Sequence, residues 1–316
     1  MITTISTDIL QAEAILRSGS VVAIPTETVY GLAANALDAK AVTSIFEIKE
    51  RPFFDPLIVH TASIDRANEF VDHIPDWANE LFARFSPGPI TIVLKKRSII
   101  PDIVTSGLDT VGIRIPNHAL TLSLLSKLDF PLAAPSANPF MYVSPTSAEH
   151  VNEQLGGKIP YILDGGKCIV GVESTIIAEL NGKPTILRLG GLSVEEIEEV
   201  IGKVLIRTNS SSKPISAGMM DSHYSPRKKV ILGRPEQGAF ESGSTGFIGF
   251  EFPIDGISTY HQKILSPTGD LGEAARNVFG ALRELDKLDL ELIYAELAPE
   301  VGLGRAINDR LRRAAA

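Results

Sequence analysis

The chain has 316 residues, 44% hydrophobic and 22% charged, which excludes disordered and fibrous classes and suits one large domain beside a smaller one. Its net charge of −8 excludes a global basic surface for gripping nucleic acid through phosphates, leaving only a local basic cleft open. One cysteine, six scattered histidines and no apolar run near the ~20 residues of a membrane span exclude a disulfide framework, a Cys-rich or HExxH metal site and a membrane partner.

The start, MITTISTDILQAEAILRSGS, carries acids and no basic leader region, so a cytoplasmic protein is expected. Strands and helices then alternate. SVVAIPT reads as a strand. A helix from Asp38 carries Val42, Ile45, Phe46 and Lys49 at three- and four-residue steps, and Pro52 should end it near Glu50. PLIVH is the next strand, DWANELFARF a helix from about Asp76. ITIVLKK, TVGIRIP, PLAAPS, YILDGG, STIIAEL and TILRLGG follow as strands, and SVEEIEEVIG as a helix opened by a Ser193 capping box. Residues 1–207 thus form an α/β domain with a sizeable sheet. From 208 to 228 small polar residues, Gly and Pro without periodicity predict a flexible linker, also suited to serve as a lid. Strands KVILG, TGFIGF and ELIYAEL and amphipathic helices GEAARNVFGALRELDKL and LGRAINDRLRRA make residues 229–316 a smaller α/β domain.

No GxxxxGK[ST] and no placed GxGxxG occurs, and LDGGKC lacks the spacing, so a bound triphosphate must be held by separated cations. Several are available. Lys49 and Arg51 would diverge on one helix, but Arg51 beyond the last turn can swing round to join Lys49. They either complement the helix dipole or face a cleft as exposed ligands. In TVGIRIP, Val111, Ile113 and Ile115 alternate with Thr110, Gly112 and Arg114, giving one apolar and one chemically active face. Arg188 interrupts an apolar strand and requires an acidic neighbour or an anionic ligand. PSAN places Ser136 and Asn138 at a strand end, either as a turn or at the edge where open α/β sheets bind ligands. PTETVYG offers Thr26, Thr28 and Tyr30 to a small polar substrate, and GVEST another polar strand start. Cys168 reads as an apolar filler, and Phe53 with Phe54 as packing residues.

PTETVYGL, KERPFFDPLIVH, FSPGPITIVL, TVGIRIPNH, APSANPF, SPTSAEHV, DGG, GVESTI and ILRLGGLS, in this order, resemble the YrdC-like family. SAGMMDSHYSP and the carboxy-terminal helices are similar to its longer two-domain form, the threonylcarbamoyl-AMP synthases. The resemblance implies a twisted mixed-sheet YrdC-like domain followed by a smaller Rossmann-like α/β domain. It implies condensation of L-threonine, bicarbonate or carbon dioxide, and ATP to threonylcarbamoyl-AMP and pyrophosphate, with Mg2+ accompanying ATP and no protein-held metal. A downstream threonylcarbamoyl-transferase acting on tRNA would use the product, leaving weak or no direct tRNA binding here.

By position, the resemblance makes Lys49 and Arg51 electrostatic catalysts. Thr28, Tyr30, His60, Arg114 and Ser174, with Ala134 lending backbone, would contact threonine. Arg51, Asp55, Thr110, Ser136, Asn138, Ser144, Arg188 and Tyr224 would contact ATP. Asp55 stands where the family commonly has Asn, which either recruits magnesium or pairs with Arg51, and Ala217 stands where proline is usual. Two alternatives remain: a carbamoyl-adenylate-forming enzyme, against which the absence of acylphosphatase and zinc-finger segments argues, and an RNA-binding module, which the acidic balance disfavours.

Overall fold

Val42, Ile45 and Phe46 lie buried along one face of the helix Ala39–Lys49, and Lys49 continues that stripe as its polar member. Asp38 opens the helix by accepting from the Lys40 and Ala41 amides, and Glu50, at φ 54°, closes it before Pro52. The Ser193 capping box forms as expected at the helix Val194–Ile201.

The computed structural model describes residues 1–208, 224–236, 240–241 and 243–316. Its larger sheet comprises β1 (Thr4–Ser6), β2 (Val22–Ile24), β3 (Gly31–Asn35), β4 (Ile58–His60), β5 (Ile90–Lys95), β6 (Thr110–Arg114), β7 (Leu132–Ala133), β8 (Tyr161–Leu163), β9 (Thr175–Leu180), β10 (Lys183–Arg188) and β11 (Leu205–Ile206). They are ordered β1-β8-β2-β3-β7-β4-β6-β5-β9-β10-β11. Parallel pairs such as β4 with β6 and antiparallel pairs such as β5 with β6 make it the mixed sheet expected.

Alternation sorts the two faces. Val59, Val111, Ile113, Ala133, Ile92 and Ile177 enter the main apolar core. Ile58 pairs with Gly112 and His60 with Arg114, so those positions share the other face, where the site lies.

The second sheet, β12 (Lys229–Leu232), β13 (Thr245–Gly249), β14 (Gln262–Ile264) and β15 (Leu292–Ala295), is parallel throughout in the order β12-β15-β13-β14. The helices Leu271–Asp286 and Gly304–Ala314 bury apolar faces beside it. The two parts share one core: Val29, Val143 and Val172 cluster with Tyr224, Ala275, Val278, Phe279 and Leu282. Gly171, at φ 86°, lies against the helix Leu271–Asp286, where a Cβ would come 2.3 Å from the Arg276 Cα.

Within the expected linker, residues 209–223 lie outside the described residues, and with them Ala217 and the lid expectation. Its end is packed: Tyr224 is buried, and Arg227 pairs with Asp286 at 3.1 Å. Phe53 and Phe54 depart from the packing expected of them, being 56% and 53% exposed, with Phe53 resting on Phe46 at 4.9 Å between ring centroids.

Candidate active site

A cavity of about 50 Å³ is lined by Val29, Ile58, Ala134, Pro135 and Tyr224 and by the polar or charged Arg51, His60, Arg114, Ser136, Glu173 and Arg188. Seven expected residues meet there: Arg51, His60, Arg114, Ala134, Ser136, Arg188 and Tyr224. Register explains the centre, because His60 ends β4 directly beside Arg114 at the end of β6. Ala134 follows β7, its amide donating to the Ile58 carbonyl at 3.0 Å, which brings Pro135 and Ser136 over the same face.

The three guanidiniums are held differently. Arg51 Nη2 meets Asp55 at 2.8 Å, and Arg51 also donates to the Asp55 and Pro56 carbonyls. Asp55 therefore pairs with Arg51, the second of the two roles its sequence left open. Arg114 pairs with Glu27 at 2.9 Å and donates to the Thr28 hydroxyl at 2.7 Å. The other Glu27 oxygen accepts from the Asn117 amide at 3.0 Å. Arg188 donates to both the carbonyl and the hydroxyl of Ser174, and it makes no ion pair among the described residues. Burial pushes its pKa down to about 10, against the pull of Tyr224 and Glu173.

His60 donates to or accepts from no charged group. Burial, reinforced by the nearby Arg114, pushes its pKa down to about 3, so it is neutral near pH 7. Its Nδ1 lies 3.2 Å from the Ile58 carbonyl.

Behind the lining stand several residues whose polar groups are already engaged. Thr28 shares its hydroxyl with Thr26 at 2.8 Å. Tyr30 donates to the Gly166 carbonyl at 2.8 Å and accepts from the Gly165 amide at 3.1 Å, tying β3 to the DGG turn. Ser174 bonds Thr91 at 2.7 Å. Asn138 donates to the Pro139 and Tyr142 carbonyls. Ser144 donates to Glu173 at 2.5 Å. Thr110 begins the strand that Arg114 ends, about 13 Å away at ~3.3 Å per residue, and does not reach the cavity.

Lys49 corrects one expectation. It is 1% exposed and Arg51 only 7%, so neither is an open cleft cation. Lys49 Nζ donates to the Ser136 carbonyl at 2.6 Å and to the Asn138 carbonyl, and is absent from the cavity lining. Its place on the buried stripe of its helix forces this, since the side chain points into protein. Burial, with Arg51 close by, drives its pKa well below 10.5.

Sequence reasoning missed Glu27, Glu173 and Arg310. Glu173 accepts from Ser144 and, at 2.8 Å, from Arg310 Nε of the second domain. Burial alone would raise its pKa, but Arg310 and Arg188 hold it down at about 2. Both glutamates stood inside the motifs PTETVYG and GVEST, where a carboxylate beside an expected arginine-rich site was the available signal. Gly190 allows this wall to close, since a Cβ there would lie 2.3 Å from the Glu173 carbonyl oxygen. Among the described residues no group of three or more His, Cys, Asp or Glu is placed to hold a metal, and no helix is long and apolar enough to cross a membrane. Cys168 is buried, and burial raises its thiol to about 12.

Residues 14–190 match the Sua5, YciO and YrdC family model, described as telomere recombination, and residues 192–316 match the threonylcarbamoyl-AMP synthase C-terminal domain. The chain is 43% identical over 314 residues to the threonylcarbamoyl-AMP synthase of Pyrococcus abyssi, covering 96% of this chain and 92% of that one. To that of Bacillus subtilis it is 40% identical over 320 residues, covering 97% and 92%. The crystal structure of P. abyssi Sua5 complexed with L-threonine superposes with a TM-score of 0.91 at 41% identity, covering 100% of this chain and 98% of that one. Both domains, in this order and over almost the full length of these relatives, place the chain in the threonylcarbamoyl-AMP synthase family, as a two-domain enzyme of the nucleotidyltransferase type.

Proposed function

We propose that this enzyme condenses L-threonine, bicarbonate or carbon dioxide, and ATP into threonylcarbamoyl-AMP with release of pyrophosphate. The observation that carries the reading is a cavity lined by three buried guanidiniums, one of them, Arg188, without a carboxylate partner among the described residues. Such a cavity attracts carboxylate, carbamate and phosphate. A threonine carbamate decomposes in water, and a desolvated pocket protects it.

In this reading Arg114, held by Glu27, orients the threonine carboxylate, and neutral His60 borders it without adding charge. Arg188 and Arg51 stabilise the negative charge that develops as carbamate oxygen attacks the α-phosphate and pyrophosphate leaves. Lys49 acts behind them by fixing the Ser136–Asn138 backbone. Mg2+ arrives with ATP as part of the substrate. The product serves a threonylcarbamoyl-transferase acting on tRNA, in the cytoplasm, with little direct tRNA contact here.

Pyrophosphate release with single omissions tests this. Release should require ATP, threonine and bicarbonate together. Equal release without threonine would replace the reading with a simple ATP pyrophosphatase, and equal release without bicarbonate with an aminoacyl-adenylate former.

A further inference from the structure

Arg310 is fully buried, yet it belongs to the second domain's last helix, Gly304–Ala314, and reaches across to the first. Its Nε donates to Glu173 at 2.8 Å, its Nη2 to the Leu189 carbonyl at 2.9 Å and its Nη1 to Asp309 at 2.6 Å, and its guanidinium lies 5.0 Å over the Tyr224 ring. Glu173 and Tyr224 line the cavity, and Leu189 follows Arg188, which also lines it. One side chain from the second domain thus meets two lining residues and the backbone next to a third.

The charges explain why this matters. Asp55 is engaged by Arg51 and Glu27 by Arg114. Glu173 is the carboxylate that lines the cavity itself, and Arg310, not Arg188, is its ion-pair partner. A buried carboxylate deprived of its cation seeks another. The nearest in character is Arg188, whose charge would then be cancelled before any anion arrived.

We propose that Arg310 is a positioning residue: it holds the Glu173 carboxylate, and so leaves the charge of Arg188 for an anionic substrate group. The second domain thereby completes the site electrostatically. The assignment of that group to a nucleotide phosphate rests on the function proposed above; the placement of charge does not.

The test compares Arg310→Met, Glu173→Gln and the double variant with the whole wild-type chain. Calorimetry with inorganic pyrophosphate measures the anion site without any reaction, and steady-state assays measure KM for ATP and threonine. Arg310→Met should weaken pyrophosphate binding and raise the ATP KM by about 10-fold or more, with the threonine KM changed less than about threefold. Adding Glu173→Gln to it removes the competing charge and should recover most of that loss. Circular dichroism melts identify any variant that fails to fold, and Arg310→Lys, which keeps the cation, then supplies the comparison by retaining anion affinity. If the double variant binds pyrophosphate no better than Arg310→Met, or if both KM values rise together, Arg310 is merely structural and the proposal falls. A wild-type chain that binds pyrophosphate but shows no threonine-dependent release would instead overturn the proposed function alone.

Discussion

Arg188 spends its described hydrogen bonds on a single residue, Ser174, donating 3.0 Å contacts to its carbonyl and to its hydroxyl. The partner is neutral, so the positive charge is anchored without being cancelled. Arg51 and Arg114, by contrast, each face a carboxylate at 2.8 and 2.9 Å. Of the three cavity guanidiniums, Arg188 is thus the one without an ion pair among the described residues.

Arg188→Gln follows from this directly. It keeps a donor for Ser174 and deletes the charge, so kcat/KM for ATP should fall by about 10²–10³, equivalent to about 2.7–4 kcal/mol and within the range of a buried charge contact. Stability should fall only modestly, because Glu173 keeps its ion pair with Arg310 while losing the second cation that holds its pKa down. A variant with near wild-type kcat/KM would remove Arg188 from the substrate site.

Lys49→Met tests a different role. The substitution leaves the Ser136 and Asn138 carbonyls without their donor, at about 1–3 kcal/mol for each buried acceptor, partly offset by no longer burying a charge. Urea unfolding should show a loss, and the ATP KM should rise because the Ser136 loop shifts. Full stability together with a large fall in kcat alone would instead make Lys49 a direct electrostatic catalyst.

His60 gives a pH signature. Its folded pKa is depressed to about 3 from 6.5, so between those values the unfolded chain binds the extra proton. Its contribution is fully present above pH 6.5 and is lost as pH falls toward 3. His60→Gln should flatten the stability curve in that window by up to about 1.4 kcal/mol per pH unit, read from denaturant midpoints at successive pH values. An unchanged slope would mean that His60 is solvated or protonated in the folded protein.

Much of the frame was legible because local signals agreed with the fold. The alternation in TVGIRIP put Val111 and Ile113 in the core and Arg114 on the opposite face, and the same strand pairing set His60 beside it. GLAAN escaped detection as β3, since its small residues show no alternation, and the short strand Thr4–Ser6 is held by pairing with Tyr161–Leu163, far along the chain. Within the site, cations were visible as types out of place. What sequence spacing could not supply was pairing: nothing local tells that Glu27 takes Arg114 while Glu173 takes Arg310, 137 residues away. The burial of Lys49 was hidden for the same reason, as its carbonyl partners lie 87 and 89 residues further on.

The central claim is that one cavity joins threonine, a one-carbon unit and an adenylate. Incubation of the enzyme with ATP, threonine and 13C-bicarbonate, followed by mass spectrometry of the nucleotide products, measures that union in a single species. The account predicts a nucleotide with the mass of AMP plus a threonylcarbamoyl group, heavier by one unit when the bicarbonate is labelled, and lost in Arg188→Gln. A nucleotide product that contains threonine but no labelled carbon would contradict it, because the enzyme would then be an aminoacyl-adenylate former.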